Sequence, residues 1–201
     1  ILLVSSFVLI KIRVTCFKYG MDNKSKLSGF EVARKILDEN NLDNMYIIEK
    51  KGSFANYYDF NHKVIKLATD VFHGETIMAI VLAAYQCSKA IMDKEKDKFY
   101  RFQAVFYPII CLFIYLSYLL FFIALLMNDG KMVMISISLF FFVLLFQLVT
   151  LPLEFKSKKQ SLQFLKKYKL LDEREMEKGE VVLDVFVFYS VGLIVSLLFD
   201  L

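Results

Sequence analysis

Ile80-Val81-Leu82-Ala83-Ala84-Tyr85-Gln86-Cys87-Ser88-Lys89-Ala90-Ile91 decides how this chain is read. The apolar approach from Ile80 to Ala84 is that of a buried helix, and it runs into polar residues one turn apart. A zinc-binding helix of the His-Glu-x-x-His kind presents two imidazoles on one face and a carboxylate that takes a proton from water. Here Tyr85 and Lys89 stand at the two ligand positions and Gln86 at the base position. A phenol is a poor ligand near neutral pH, an ammonium carries the wrong charge, and a carboxamide is no base. On its residues alone the stretch is an amphipathic helix.

The rest of the chain is far more apolar than a soluble domain requires. Of its 201 residues 57% are hydrophobic, the mean hydropathy is +0.50, and the apolar residues fall into long runs. Phe102 to Met127 carries no charge and is long enough to span a bilayer. Asn128-Asp129-Gly130-Lys131 reads as a tight turn, and residues 132–153 span back, with Pro152 ending or kinking that helix. Residues 181–199 make a fourth span, and the apolar run 1–12 a truncated first one. The expected architecture is an α+β membrane protein with about four transmembrane helices and one small domain over residues 13–101.

Charge gives the orientation. Lys11, Arg13, Lys18, Lys24 and Lys26 follow the first apolar run. Lys156, Lys158, Lys159, Lys166, Lys167 and Lys169 follow the third span, interleaved with Leu162, Phe164, Leu165 and Tyr168. The positive-inside rule then puts the domain and the basic 154–180 segment in the cytoplasm of a multi-pass cell-membrane protein, with both termini outside. The basic segment reads as an amphipathic helix lying along the bilayer, not a nucleic-acid surface, because it sits between two spans. The lipid bilayer is therefore the first partner expected, and nucleic acid is not one.

Within the small domain, Ser28-x-x-Glu31 is a capping box opening a helix to about Glu39. Met45 to Glu49 and Val64 to Leu67 read as strands, with turns at Gly52-Ser53 and at Asp59 to His62. Thr69 or Asp70 is expected to cap a long helix over residues 71–101. Its first half is apolar, and its second half, from Asp93, is a solvated charged face. Asp172-x-x-Glu175 caps the last helix.

Few side chains offer chemistry. Cys16, Cys87 and Cys111 are scattered and read as reduced thiols, with Cys87 on the face away from positions 85 and 89. His62 and His73 lack a ligand partner one turn on and read as surface or cap residues. Glu154, at the end of a span, is either an interfacial carboxylate among lysines or part of a site.

Several segments carry a resemblance. They are Leu27-Ser28-Gly29-Phe30-Glu31-Val32-Ala33-Arg34-Lys35-Ile36-Leu37, then Tyr57-Tyr58-Asp59 with Asn61, Lys63, Val64 and Leu67, then Val71, Gly74, Ala83-Ala84 and Ala90-Ile91. The most specific is Phe146-Gln147-Leu148-Val149-Thr150-Leu151-Pro152-Leu153-Glu154-Phe155. Over nearly its whole length the chain resembles the YugP-type membrane zinc metallopeptidases of bacteria. The resemblance implies a zincin-like domain, zinc as the family's cofactor, Glu154 as the match of a third, downstream metal ligand, and a strand beside the metal helix that pairs with peptide substrate. It also implies an Asp-His pair before Tyr58-Asp59, where this chain has Asn56-Tyr57. With Tyr85, Gln86 and Lys89 in the motif, the expectation is a non-catalytic relative that needs no cofactor and binds or regulates a membrane partner or an active paralogue. The alternatives are an active metallopeptidase with atypical ligands and a structural membrane subunit. A last expectation concerns the place of the metal: Lys89 reaches into it and pairs with Glu154, with Tyr85 and Gln86 offering hydrogen bonds.

Overall fold

The computed structural model describes residues 27–51 and 56–199 together with Val14, with side chains as far as Val187. The first span expected over 1–12, the Gly52-Ser53 turn and the side chains of the last part of the fourth span lie outside the described residues.

Helix α1 (Gly29–Asp38) starts where the capping box places it. The Ser28 backbone N–H donates to Glu31 Oε2 at 2.7 Å, and the Glu31 N–H donates to Ser28 Oγ at 3.2 Å. Val32, Ala33, Ile36 and Leu37 recur at helical spacing and are fully buried. Strands β1 (Tyr46–Lys50), β2 (Tyr57–Asp59) and β3 (Val64–Ala68) form one sheet in the order β1-β3-β2, with β1 parallel and β2 antiparallel to β3. Residues 57–59, which the sequence reading left out of any strand, pair Tyr58 with Ile65 and turn its ring into the core.

The long helix expected over residues 71–101 is three pieces. Helix α2 (Thr69–Phe72) is one turn, and its N-cap is Ala68, so neither Thr69 nor Asp70 caps it with a side chain. The chain then breaks at Gly74, where a Cβ would lie 2.1 Å from the Asp70 carbonyl oxygen. Helix α3 (Ile77–Lys94) restarts with Thr76 Oγ1 accepting from the Ala79 N–H at 3.2 Å. It ends at Glu95, because Lys96 takes a left-handed φ of 58°. Asp97 then caps helix α4 (Lys98–Met127) through the Tyr100 N–H at 2.9 Å. The charged end of α3 is therefore not one solvated face: Asp93 is buried.

Asn128, left-handed at φ 50°, turns the chain into helix α5 (Gly130–Lys167), and α6 (Glu173–Phe199) follows. Pro152 lies inside α5 instead of ending it, so the basic residues from Lys156 to Lys167 continue the same helix that carries the apolar run. The segment expected over 154–180 thus divides between the end of α5 and the start of α6. Two of its lysines are engaged: Lys156 pairs with Asp97, and Lys158 bridges Glu180 at 3.0 Å and Asp184 at 2.6 Å on α6. Asp172 and Glu175 form a reciprocal cap at the start of α6, at 3.0 and 2.8 Å.

The fold is thus helix-rich α+β. Among the described residues, α4 and α5 are long and apolar enough to cross a membrane. They pack on each other through Ile110, Phe140, Val143, Leu144 and Phe146 and expose most of their remaining apolar side chains. The main core surrounds α3, where Ile80, Leu82 and Met92 meet α1, the sheet, Leu165 of α5 and Leu183 of α6. Gly179 lets α6 approach: a Cβ there would lie 2.8 Å from Val81 Cγ2.

Candidate functional site

Tyr85 and Lys89 are one turn apart on α3, so their side chains leave the helix on one face. That face meets α5 where its apolar run ends, at Glu154. The Lys89 ammonium lies 3.2 Å from Glu154 Oε1 and 3.1 Å from Oε2. The Tyr85 hydroxyl donates to Oε2, and Gln103 Nε2 of α4 donates to Oε1 at 3.3 Å. The ammonium also stands 4.7 Å from the centre of the Tyr85 ring, within cation–π range. Three helices therefore converge on one carboxylate.

The cluster is nearly dry. Tyr85, Gln86 and Glu154 are buried, and the Lys89 side chain keeps 19% of its exposure. Burial, and then the charge of Glu154 beside it, hold the Tyr85 phenol well above its ordinary value, so it stays a donor. Gln86 is not among the donors on Glu154; Gln103, which the sequence reading passed over, takes that part. Nothing local marks Gln103, since it lies 51 residues from Glu154.

The face continues one turn further to Asp93, which the sequence reading assigns to a solvated face and not to a site. Its Oδ2 accepts from the Tyr58 hydroxyl at 2.7 Å and from Lys63, and its Oδ1 lies 3.9 Å from Arg101 Nε. The spacing of Tyr85, Lys89 and Asp93 was the available signal. The lysine that answers Asp93 is 30 residues away, on the β2–β3 turn.

The remaining candidates are dispersed. Cys87 points toward α1, its Sγ 3.6 Å from the Ala33 carbonyl oxygen, and burial pushes its thiol up, which makes it unreactive. His62 Nδ1 is 3.0 Å from Asp59 Oδ2 and His73 Nε2 is 3.4 Å from Glu49 Oε2, both on exposed surface. Asn56 Oδ1 accepts from the Ala68 N–H at 2.8 Å and fastens the end of β3.

Chemically the cluster holds one carboxylate already satisfied by an ammonium, a phenol and an amide. Among the described residues, no three His, Cys, Asp or Glu side chains come together as metal ligands. A profile of the family described as "Putative neutral zinc metallopeptidase" matches residues 1–199. A Bacillus subtilis protein described as "Putative membrane protease YugP" is 28% identical over 156 residues, covering 77% of this chain and 69% of that protein. No solved structure matches.

Proposed function

The chain belongs to the zinc metallopeptidase family that its length matches, and from that premise we propose that it is a non-catalytic member, which keeps the scaffold and works by binding a membrane partner. The observation that carries this is the Lys89 ammonium, 3.1 Å from Glu154, the residue that the resemblance makes the match of the family's third ligand. A dication and an ammonium compete for the same carboxylate, and the two imidazoles and the carboxylate that a His-Glu-x-x-His helix would add are here a phenol, that ammonium and a carboxamide. Zinc does not fit these residues. Gln86 offers no basic atom to a water.

The scaffold in turn is a zincin-like domain held between membrane helices. The long, lipid-like surfaces of α4 and α5 support two spans. The apolar runs at 1–12 and 181–199 supply two more in this reading. The single Lys of the α4–α5 turn, against the lysines at the other end of α5, supports a cytoplasmic domain. The partner in this reading is a second membrane protein, an active paralogue included.

Elemental analysis of the purified full chain, with a peptidase assay run with and without chelator, tests the proposal. The expected result is well under one zinc per chain and no chelator-sensitive cleavage. Stoichiometric zinc, or hydrolysis that a chelator abolishes, overturns it.

A further inference from the structure

The second cluster along α3 has a charge arrangement that holding the fold together does not require. Asp93 is 5% exposed and has two cations beside it, Lys63 from the β2–β3 turn and Arg101 from the first turn of α4. Tyr58 already donates to the same carboxylate. One carboxylate therefore holds two cations and leaves a net positive charge. Neither cation is enclosed: the Lys63 side chain is 49% exposed and that of Arg101 46%. Asp93 Oδ1 accepts no hydrogen bond, so Arg101, at 3.9 Å, is held by charge without a formed bond and its guanidinium keeps free donors.

The position of this pair matters as much as its charge. Tyr100 is buried with its ring centre 6.2 Å from that of Tyr58 and 6.2 Å from that of Phe60. This fixes the β2–β3 turn against the first turn of α4. Lys63 lies 3.7 Å over the Phe60 ring, which holds its stem in place. Phe102 starts the uncharged run of α4, and Phe99 and Phe102 are exposed apolar rings at that level. Two preset, half-exposed cations thus stand where an apolar helix leaves the domain, the level at which lipid phosphates lie.

We infer that Lys63 and Arg101, positioned by Asp93, form a binding site for the phosphate of an acidic phospholipid headgroup. The inference rests on the membrane-spanning reading of α4, because continuity with that span brings a headgroup to the pair. Arg supplies a planar fork suited to phosphate oxygens, and Lys a point charge beside it.

The test uses the full chain in a neutral detergent, titrated separately with short-chain phosphatidylglycerol, short-chain phosphatidylcholine and inorganic phosphate, with the melting midpoint as readout. Phosphatidylglycerol is expected to raise the midpoint saturably, and the other two are not. Arg101→Gln, which leaves the Tyr58 and Lys63 contacts to Asp93 in place, should weaken half-saturation about fivefold, and Lys63→Gln with Arg101→Gln about thirtyfold. Lys63→Arg should retain the effect, as should Lys166→Gln with Lys167→Gln. An equal response to phosphatidylcholine or to free phosphate, no response to phosphatidylglycerol, or an Arg101→Gln titration within twofold of the parent overturns the site. Alkaline carbonate extraction of membranes from cells making the chain separates the two readings. Release of the chain sinks the spanning reading and this site with it. Retention without a phosphatidylglycerol effect sinks the site alone.

Discussion

Replacing Lys89 by Met removes the only cation among the described residues within ion-pair distance of Glu154 while keeping the length of the side chain. The charge left behind keeps two neutral donors, Tyr85 and Gln103, the latter at 3.3 Å. Breaking one side of a buried pair costs about 3–5 kcal/mol. Lys89 and Glu154 keep 19% and 11% of their side-chain exposure and two donors remain, so the low end applies, about 3 kcal/mol. For a chain of this length that corresponds to a loss of roughly 6–12 °C in melting midpoint. Glu154→Gln in the Lys89→Met background removes the stranded charge and should recover most of the loss, because replacing both members of a buried pair is close to neutral. Thermal unfolding in detergent, followed with a thiol-reactive dye in a background whose one remaining cysteine is the buried Cys87, measures Lys89→Met, Glu154→Gln and the double variant. A Lys89→Met midpoint equal to the parent's refutes the reasoning. So does a double variant as unstable as the two single losses added, since that would leave no coupling between the groups.

Three further outcomes follow from the same geometry. Tyr85→His with Lys89→His should not give peptidase activity, because Gln86 supplies no base; adding Gln86→Glu should give zinc binding that equilibrium dialysis detects, with Glu154 freed as a ligand. Single cysteines at positions 129 and 166, in a background without the native thiols, should label from opposite sides of the membrane; labelling from one side contradicts the span assigned to α5. Hydrogen bonding from Lys66 holds the Asp59 carboxyl well below the usual carboxylate range, and the Lys66 ammonium is raised in return. A depressed acid stabilises the fold above its unfolded pKa of about 4 and loses that contribution as pH falls through its folded value; a raised ammonium contributes below about pH 10.4 and loses it above. Asp59→Asn should therefore flatten the acid side of a stability–pH curve, and an unchanged acid limb would show that the pair does not contribute.

What the sequence disclosed was local. The caps at Ser28 and Asp172 were legible because donor and acceptor lie three residues apart, so no tertiary knowledge is needed. Strands at 46–50 and 64–68 announced themselves through β-branched and aromatic residues. Residues 57–59 did not, because three residues ending in Asp carry no periodicity; they are a strand only because β3 lies beside them. The break between α3 and α4 was hidden for a different reason: a lysine, Lys96, takes the left-handed position that glycine usually marks. Pro152 misled in the other direction. Its ring removes one helical hydrogen bond, a loss that the neighbouring packing of Leu153 and Glu154 outweighs. At the site, the motif face was readable from i, i+4 spacing, while Gln103, Lys63 and Arg101 reach it through contacts that no spacing encodes.

On the spanning reading of α5, its passage through Pro152 without a stop makes the domain an outrigger of the span, bolted on rather than tethered. From Glu154 the same rod runs 13 residues to Lys167, about 20 Å at 1.5 Å per residue. The core rests on it through Ser157, Ser161 and Leu165, all beyond Pro152 on one continuous helix. When a thinner bilayer makes an apolar helix lean, the far end of this rod swings by about 3 Å for each ten degrees of lean. That displacement runs mostly parallel to the bilayer, so the domain is carried sideways over the lipid surface at nearly constant height.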